Sequence, residues 1–200
     1  MTSTLTDEEL MLQVRDNVNE SLAVLFDRYH LALFNFYFKL SGSRANSEDL
    51  VQEVFLRILK YRRSYRPGMP FRAWIYQVAR NARRDDCRKK LNEVGKEMLD
   101  APAYLPTDTA ERKQEADYLY HALWQMKQDN RELLVLSRFQ ELSYEEIGLL
   151  LGCSVGAVKV RVHRAIQELR EIVQKSKALR ASGMEYKKIS DVQFRVSNEV

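Results

Sequence analysis

From Asn19 onward Leu22, Leu25, Phe26, Tyr29, Leu33, Tyr37 and Leu40 recur at the three-and-four spacing of a single helical face, and Ser41-Gly42-Ser43 closes the run. So long an apolar stripe demands a partner surface and commits the start of the chain to helix packing. The same pattern returns twice. Asn46 or Ser47 caps a helix striped by Leu50, Val51, Val54, Phe55, Ile58 and Leu59, and Pro67-Gly68-Met69-Pro70 breaks the chain before Phe71, Trp74, Ile75, Val78 and Ala82. That last helix is expected to run to about Lys90, and Thr6 with Glu9 forms a capping box ahead of all three. With only 7 Gly and 4 Pro in 200 residues, the turns of a β-sandwich or barrel cannot be supplied.

A second helical block is set apart from the first. Residues 91–108 hold Gly95, Pro102 and Pro106 without a sustained apolar period, and the stretch from Leu91 to Arg112 carries five acidic residues against two basic ones. Beyond it Leu119, Leu123 and Met126 share a face, Asp129 is placed to cap a helix with Glu132 three residues on, and Ser143 with Glu146 forms another capping box. The expected fold is all-α: a first domain over 1–91, a flexible linker over 92–112, a helix-turn-helix domain over 113–177, and a tail over 178–200 to which no role is assigned.

Charge is distributed unevenly along the chain. Between Lys60 and Lys90 stand 11 basic residues against Asp85 and Asp86, whereas Met1 to Leu59 carries nine acidic and five basic residues. Basic groups neutralise phosphates and aromatic faces stack unpaired bases, so the segment holding Tyr61, Tyr65, Trp74 and Tyr76 suits single-stranded nucleic acid. Trp74 and Tyr76 read equally as core rings. In the second block, Glu141 to Val158 reads as a capped helix, a turn at Gly152, and a second helix capped by Ser154. Val155, Val158, Val162, Ile166 and Leu169 make its buried stripe and leave Lys159, Val160, Arg161, His163 and Arg164 outward, where a recognition helix meets the major groove. Gly156 and the helix start leave room for a phosphate.

No P-loop, nucleophile elbow, GxGxxG or HExxH occurs, which argues against an enzyme, and no catalytic residue, metal site or cofactor is expected. Cys87 and Cys153 stand alone, without metal-ligand spacing, and read as inert thiols rather than redox sensors. The acidic start, Asp7-Glu8-Glu9, is unlike a secretory signal, and no stretch is apolar enough to span a membrane, so a cytoplasmic location is expected. A DNA-binding regulator of another type is the competing reading, but a receiver domain needs alternating strands and helices, which the first ninety residues lack.

Taken together, Glu48 to Arg57, Phe71 to Tyr76 with Ala79-Arg80-Asn81 and Asp85 to Arg88, and Leu142 to Ile147 are similar to three motifs of one family. The sequence resembles the sigma-70 family of bacterial RNA polymerase sigma factors, specifically its small extracytoplasmic function group, over roughly Leu10 to Glu171. The resemblance implies that Asp49, Gln52, Glu53, Phe55 and Arg57 dock on the β′ clamp helices of core RNA polymerase, with the β flap as a further contact. It implies that Trp74, Arg80, Asn81, Arg84, Arg88 and Lys89 hold the minus-10 element, melted non-template strand included, while the loop from Tyr61 to Met69 accepts a flipped base. Gly156, Lys159, Val160, Arg161, His163 and Arg164 are then the minus-35 readers on duplex promoter DNA, and an anti-sigma factor is an expected partner. Three positions depart from the family: Ala157 replaces a usual Thr, Val160 a frequent Ser, and His163 is unusual at its place, so the promoter sequence cannot be carried over.

Overall fold

The computed structural model describes residues 5–94 and 119–181. Among them every regular element is helical, as the periodicity requires. The first module comprises α1 (Asp7–Arg15), α2 (Asn19–Ser41), α3 (Arg44–Tyr61), a 3-10 turn (Arg62–Ser64) and α4 (Phe71–Val94). The second comprises α5 (helical residues 119–125), α6 (Gln128–Leu134) with a π-helical continuation (Val135–Phe139), α7 (Tyr144–Leu151) and α8 (Val155–Ala181).

Local signals set the boundaries. Thr6 and Glu9 exchange both bonds of a capping box at α1, and Ser143 and Glu146 do the same at α7. Helix α3 starts earlier than expected, because Ser43 rather than Asn46 or Ser47 is its cap and accepts from the Asn46 amide. At α6 the expected Asp129 cap is absent: the helix begins at Gln128, and Glu168 of α8 instead accepts the Lys127 amide at 2.9 Å. A carboxylate two helices away does here what a local side chain was expected to do. The start of α4 is held in the same way, with Glu8 of α1 accepting the Phe71 amide at 2.9 Å. Helix α4 continues past Lys90 to Val94 and α8 past Lys177 to Ala181. The remainder of the expected linker and tail lies outside the described residues.

In the first module α2 packs on α1 and α3, and α3 on α4. Leu25, Leu33, Phe36, Tyr37, Ile58, Phe71 and Ile75 are fully enclosed there. In the second, α8 crosses α6 and α7, burying Val158, Val162 and Ala165. The two modules do not stand apart. Helix α4 packs on α7, α2 on the π segment, and Leu136, Ile147 and Leu150 join one contiguous apolar cluster with the first module.

Candidate nucleic-acid interface

The α7–turn–α8 unit is a helix-turn-helix built by close backbone approach. A Cβ on Gly148 would stand 2.9 Å from the Cys153 carbonyl oxygen, so only glycine lets α7 meet the turn this tightly. Gly152 then ends α7 in the left-handed region at φ 64°, and Ser154 opens α8 by accepting the Ala157 amide at 3.2 Å. The spacing of Val158, Val162 and Ala165 turns one face of α8 into the core, which leaves Gly156, Lys159, Val160, Arg161, His163 and Arg164 exposed. All six residues expected to read duplex DNA are brought to solvent along two turns.

On α4 the expected residues divide between two lines. Asn81, Arg84, Arg88 and Lys89 are exposed, the first three at the spacing of one helical face. Arg80 is not: it donates to Glu132 of α6 at 2.8 Å, the two side chains being only 11% and 9% exposed. Trp74 is a correction. It is 7% exposed and packs edge-on to Tyr65 at 5.2 Å, so it shapes the loop from beneath and has no free face for a base. Tyr76 likewise lies inside, and burial raises its phenol well above the ordinary tyrosine range. In the loop, Tyr65 is enclosed and donates to the Met69 carbonyl, whereas Tyr61, Arg63 and Arg66 are exposed. Tyr61 is therefore the ring this loop offers to solvent.

A third surface lies on α3. Asp49 and Gln52 are exposed and Glu53 half-exposed. Phe55 is turned inward, 7% exposed and 4.9 Å from the Phe26 ring, which removes it as a surface anchor. Its neighbour Leu56 takes that place at 62% exposure, one turn beyond Gln52 and Glu53. Sequence reasoning missed Leu56 because it falls outside the six-position apolar stripe, on the polar face with Asp49 and Gln52, and a lone apolar side chain on that face was the one signal available. Arg57 donates to Glu53 at 2.6 Å and to Asp85 of α4 at 2.7 Å. Burial works against its charge, but these carboxylates outweigh it and hold the guanidinium pKa above its usual value. Arg57 thus braces α3 against α4 rather than reaching outward.

Among the described residues, no group of His, Cys, Asp and Glu is arranged to hold a metal ion, and no helix is long and apolar enough to cross a membrane. Two helical modules, one presenting a basic stripe beside an aromatic loop and the other a helix-turn-helix with a basic outer face, define a bipartite DNA-binding protein. Comparison with known proteins makes the class specific. Residues 25–92 match Sigma-70 region 2 and residues 116–169 match Sigma-70, region 4. The chain is 34% identical over 166 residues to RNA polymerase sigma factor CarQ of Myxococcus xanthus, covering 82% of this chain and 95% of that protein. It is 37% identical over 142 residues to the ECF RNA polymerase sigma factor EcfG of Rhodopseudomonas palustris, covering 69% and 77%. Its fold is similar to that of CnrH in complex with the cytosolic domain of CnrY, with a TM-score of 0.67, 22% identity, and coverage of 84% of this chain and 97% of that one. It is also similar to the sigma factor RpoE in complex with the anti-sigma factor NepR from Bartonella quintana, with a TM-score of 0.64, 25% identity, and coverage of 76% and 96%.

The chain belongs to the sigma-70 family of RNA polymerase sigma factors, in its extracytoplasmic function group. It is a transcription initiation factor and not an enzyme: it binds core polymerase, recognises minus-35 and minus-10 promoter elements and promotes melting of the DNA between the strands.

Proposed function

We propose the following division of that activity among the residues of this chain. Residues 1–91 form the module that docks on the β′ clamp helices and captures the minus-10 element, residues 113–177 the module that reads the minus-35 element and meets the β flap, and 92–112 the tether between them. The outward face of α3, with Asp49, Gln52, Glu53 and the exposed Leu56, is the polymerase contact: a polar rim around an apolar side chain. Asn81, Arg84, Arg88 and Lys89 hold the melted strand, with Tyr61 as the stacking ring. Flipping a base costs a few kcal/mol of lost stacking, which stacking on a ring and charge pairing with phosphate offset. Melting on this reading is differential binding of the opened strand, and no bond is made or broken. Lys159, Arg161, His163 and Arg164 enter the major groove, with Gly156 beneath a phosphate. Val160, 50% exposed, offers methyl groups where a hydroxyl is usual, and suits contact with a thymine methyl.

The observation that supports this reading is the sorting of α8, in which Val158 and Val162 are buried while each of the proposed readers is exposed. A location in the cytoplasm, where promoter and polymerase are found, goes with it. By likeness to the complex of RpoE with the anti-sigma factor NepR, an anti-sigma factor is a proposed partner. The test separates the two modules. Arg161→Ala with Arg164→Ala should weaken holoenzyme binding to duplex promoter while leaving polymerase binding intact. Asn81→Ala should reduce permanganate reactivity of promoter thymines more than it reduces closed-complex binding. Equal loss of both in the Asn81 variant, or undiminished promoter binding in the double variant, refutes the assignment concerned.

A further inference from the structure

Four residues of α4, Arg72, Tyr76, Arg80 and Arg83, recur at intervals of four, four and three and so form one line along the helix. Each of them finds its partner in the second module. Arg72 donates to the Gln140 backbone carbonyl and Tyr76 to the Gln140 side-chain oxygen at 2.6 Å. Arg80 pairs with Glu132 and reaches toward the Leu150 carbonyl at 3.5 Å. With the Gln128 amide oxygen turned toward it, Arg83 donates from both terminal nitrogens at 3.0 and 3.1 Å. Lys39 of α2 adds a fifth tie, 4.8 Å above the Phe139 ring and 3.3 Å from the Tyr120 hydroxyl.

A helix turned toward a protein core rarely carries three arginines in register, because each buried guanidinium must find an acceptor or suffer a large desolvation penalty. Here one module supplies the charge and the other a ready-made set of acceptors. The fit is incomplete at one point. Arg131 of α6, 8% exposed, keeps its Nε and one terminal nitrogen without a hydrogen-bond partner and lies 4.4 Å over the Trp124 ring. Burial first, and then the like charge of Arg83, pull its guanidinium pKa downward. The contact is thus specific yet carries a built-in cost, the combination expected of an interface that must also come apart.

We infer that the second module closes over α4 as an intramolecular mask, with Glu132 and Gln140 as its latch, and that Arg72, Arg80 and Arg83 meet the phosphates of the melted strand only once the latch releases. This rests on the proposed placement of the minus-10 site on α4. Arg80 cannot serve Glu132 and a phosphate at once, so the free chain is held in a form with fewer DNA contacts than the open one. The exposed line of Asn81, Arg84 and Arg88 remains as a first foothold for the strand.

The native thiols Cys87 on α4 and Cys153 in the helix-turn-helix place one spin label in each module of the full chain. Pulsed dipolar distance measurement should give one narrow distribution for the wild-type chain, and a longer, broader one for Glu132→Gln. The same variant should bind a single-stranded minus-10 oligonucleotide roughly tenfold tighter, as a minor competent state becomes the major one. Its affinity should fall more steeply with salt, the logarithmic slope gaining about 2 for three added phosphate contacts. The charge swap Arg80→Glu with Glu132→Arg should restore the narrow distribution and abolish the tighter oligonucleotide binding, which guards against a variant that merely unfolds. A broad wild-type distribution, or a narrow one unmoved by Glu132→Gln, overturns the closure. Opening without tighter oligonucleotide binding overturns the mask. In that event Arg84→Ala with Arg88→Ala in holoenzyme separates the causes: impaired promoter melting leaves the minus-10 site on α4, and undiminished melting removes it.

Discussion

Leu56 and Phe55 are adjacent on α3, and their opposite orientations predict opposite phenotypes. Leu56 keeps 62% of its surface exposed in the free chain. Fully burying a leucine side chain stabilises by about 1.5–3 kcal/mol, so contact with polymerase has roughly 1–2 kcal/mol still to gain there. Leu56→Ala forfeits most of that amount and should weaken binding to core polymerase about 5- to 30-fold, with the melting temperature of the free chain nearly unchanged. Phe55→Ala removes a ring seated against Phe26 and should cost the fold about 3–5 kcal/mol, shown as a lower midpoint in urea. Polymerase affinity is measured by anisotropy of labelled full-length chain titrated with core enzyme, at a temperature where both variants remain folded. The reasoning fails if Leu56→Ala binds like wild type, or if it lowers the urea midpoint as much as Phe55→Ala does. Either result would mean that the exposed Leu56 on the polar face of α3 is not what polymerase covers.

Gly148→Ala should destabilise the second module by up to about 2 kcal/mol: overpacking against the Cys153 carbonyl costs about 1–3 kcal/mol, offset in part by the roughly 1 kcal/mol helical preference of alanine. Thermal unfolding of the variant checks it, and an unchanged or raised melting temperature counts against the close approach. Alkaline pH should unfold the chain early. Burial raises the phenols of Tyr29, Tyr37, Tyr65 and Tyr76, with Tyr65 at about 12, above the unfolded value of about 10. The folded state therefore holds protons that the unfolded state releases, and stability intact below pH about 10 falls as pH rises through the window up to about 12, by up to about 1.4 kcal/mol per pH unit for each phenol. Tyrosinate absorbance should rise together with loss of helical circular dichroism; ionisation of all tyrosines in a still-folded chain refutes it.

What could be read in advance was whatever a few neighbouring residues decide. The capping boxes at Thr6 and Ser143, the break before Phe71, the glycine turn at Gly152 and the outward face of α8 all follow from spacing within one or two turns, and they stand where the sequence puts them. Asp129 failed as a cap because a distant carboxylate, Glu168, took over the amide at the start of α6. Trp74 and Phe55 each carry a core and a surface reading, because aromatic residues serve core and interface alike, and only the packing of Tyr65 and Phe26 against them decides. The ties of Arg80 to Glu132 and Tyr76 to Gln140 span 52 and 64 residues, and no local period signals them.

The two lines on α4 carry the argument a step further. Asp85 lies on the same helix and belongs to Arg57 of α3, so α3 and α4 are joined by a half-buried ion pair rather than by apolar contact alone. Charged pairs fix relative orientation more narrowly than apolar packing does, because hydrogen-bond geometry tolerates little rotation. On the proposed assignment of α3 and α4, docking of α3 on polymerase positions Asn81, Arg84 and Arg88 as a unit. On the opposite side of the helix, the Arg80 tie to Glu132 holds the second module by the same kind of bond. Helix α4 is thus braced against α3 on one side and against its own helix-turn-helix module on the other, and on the proposed reading only the second brace has to be given up for its arginine to reach DNA.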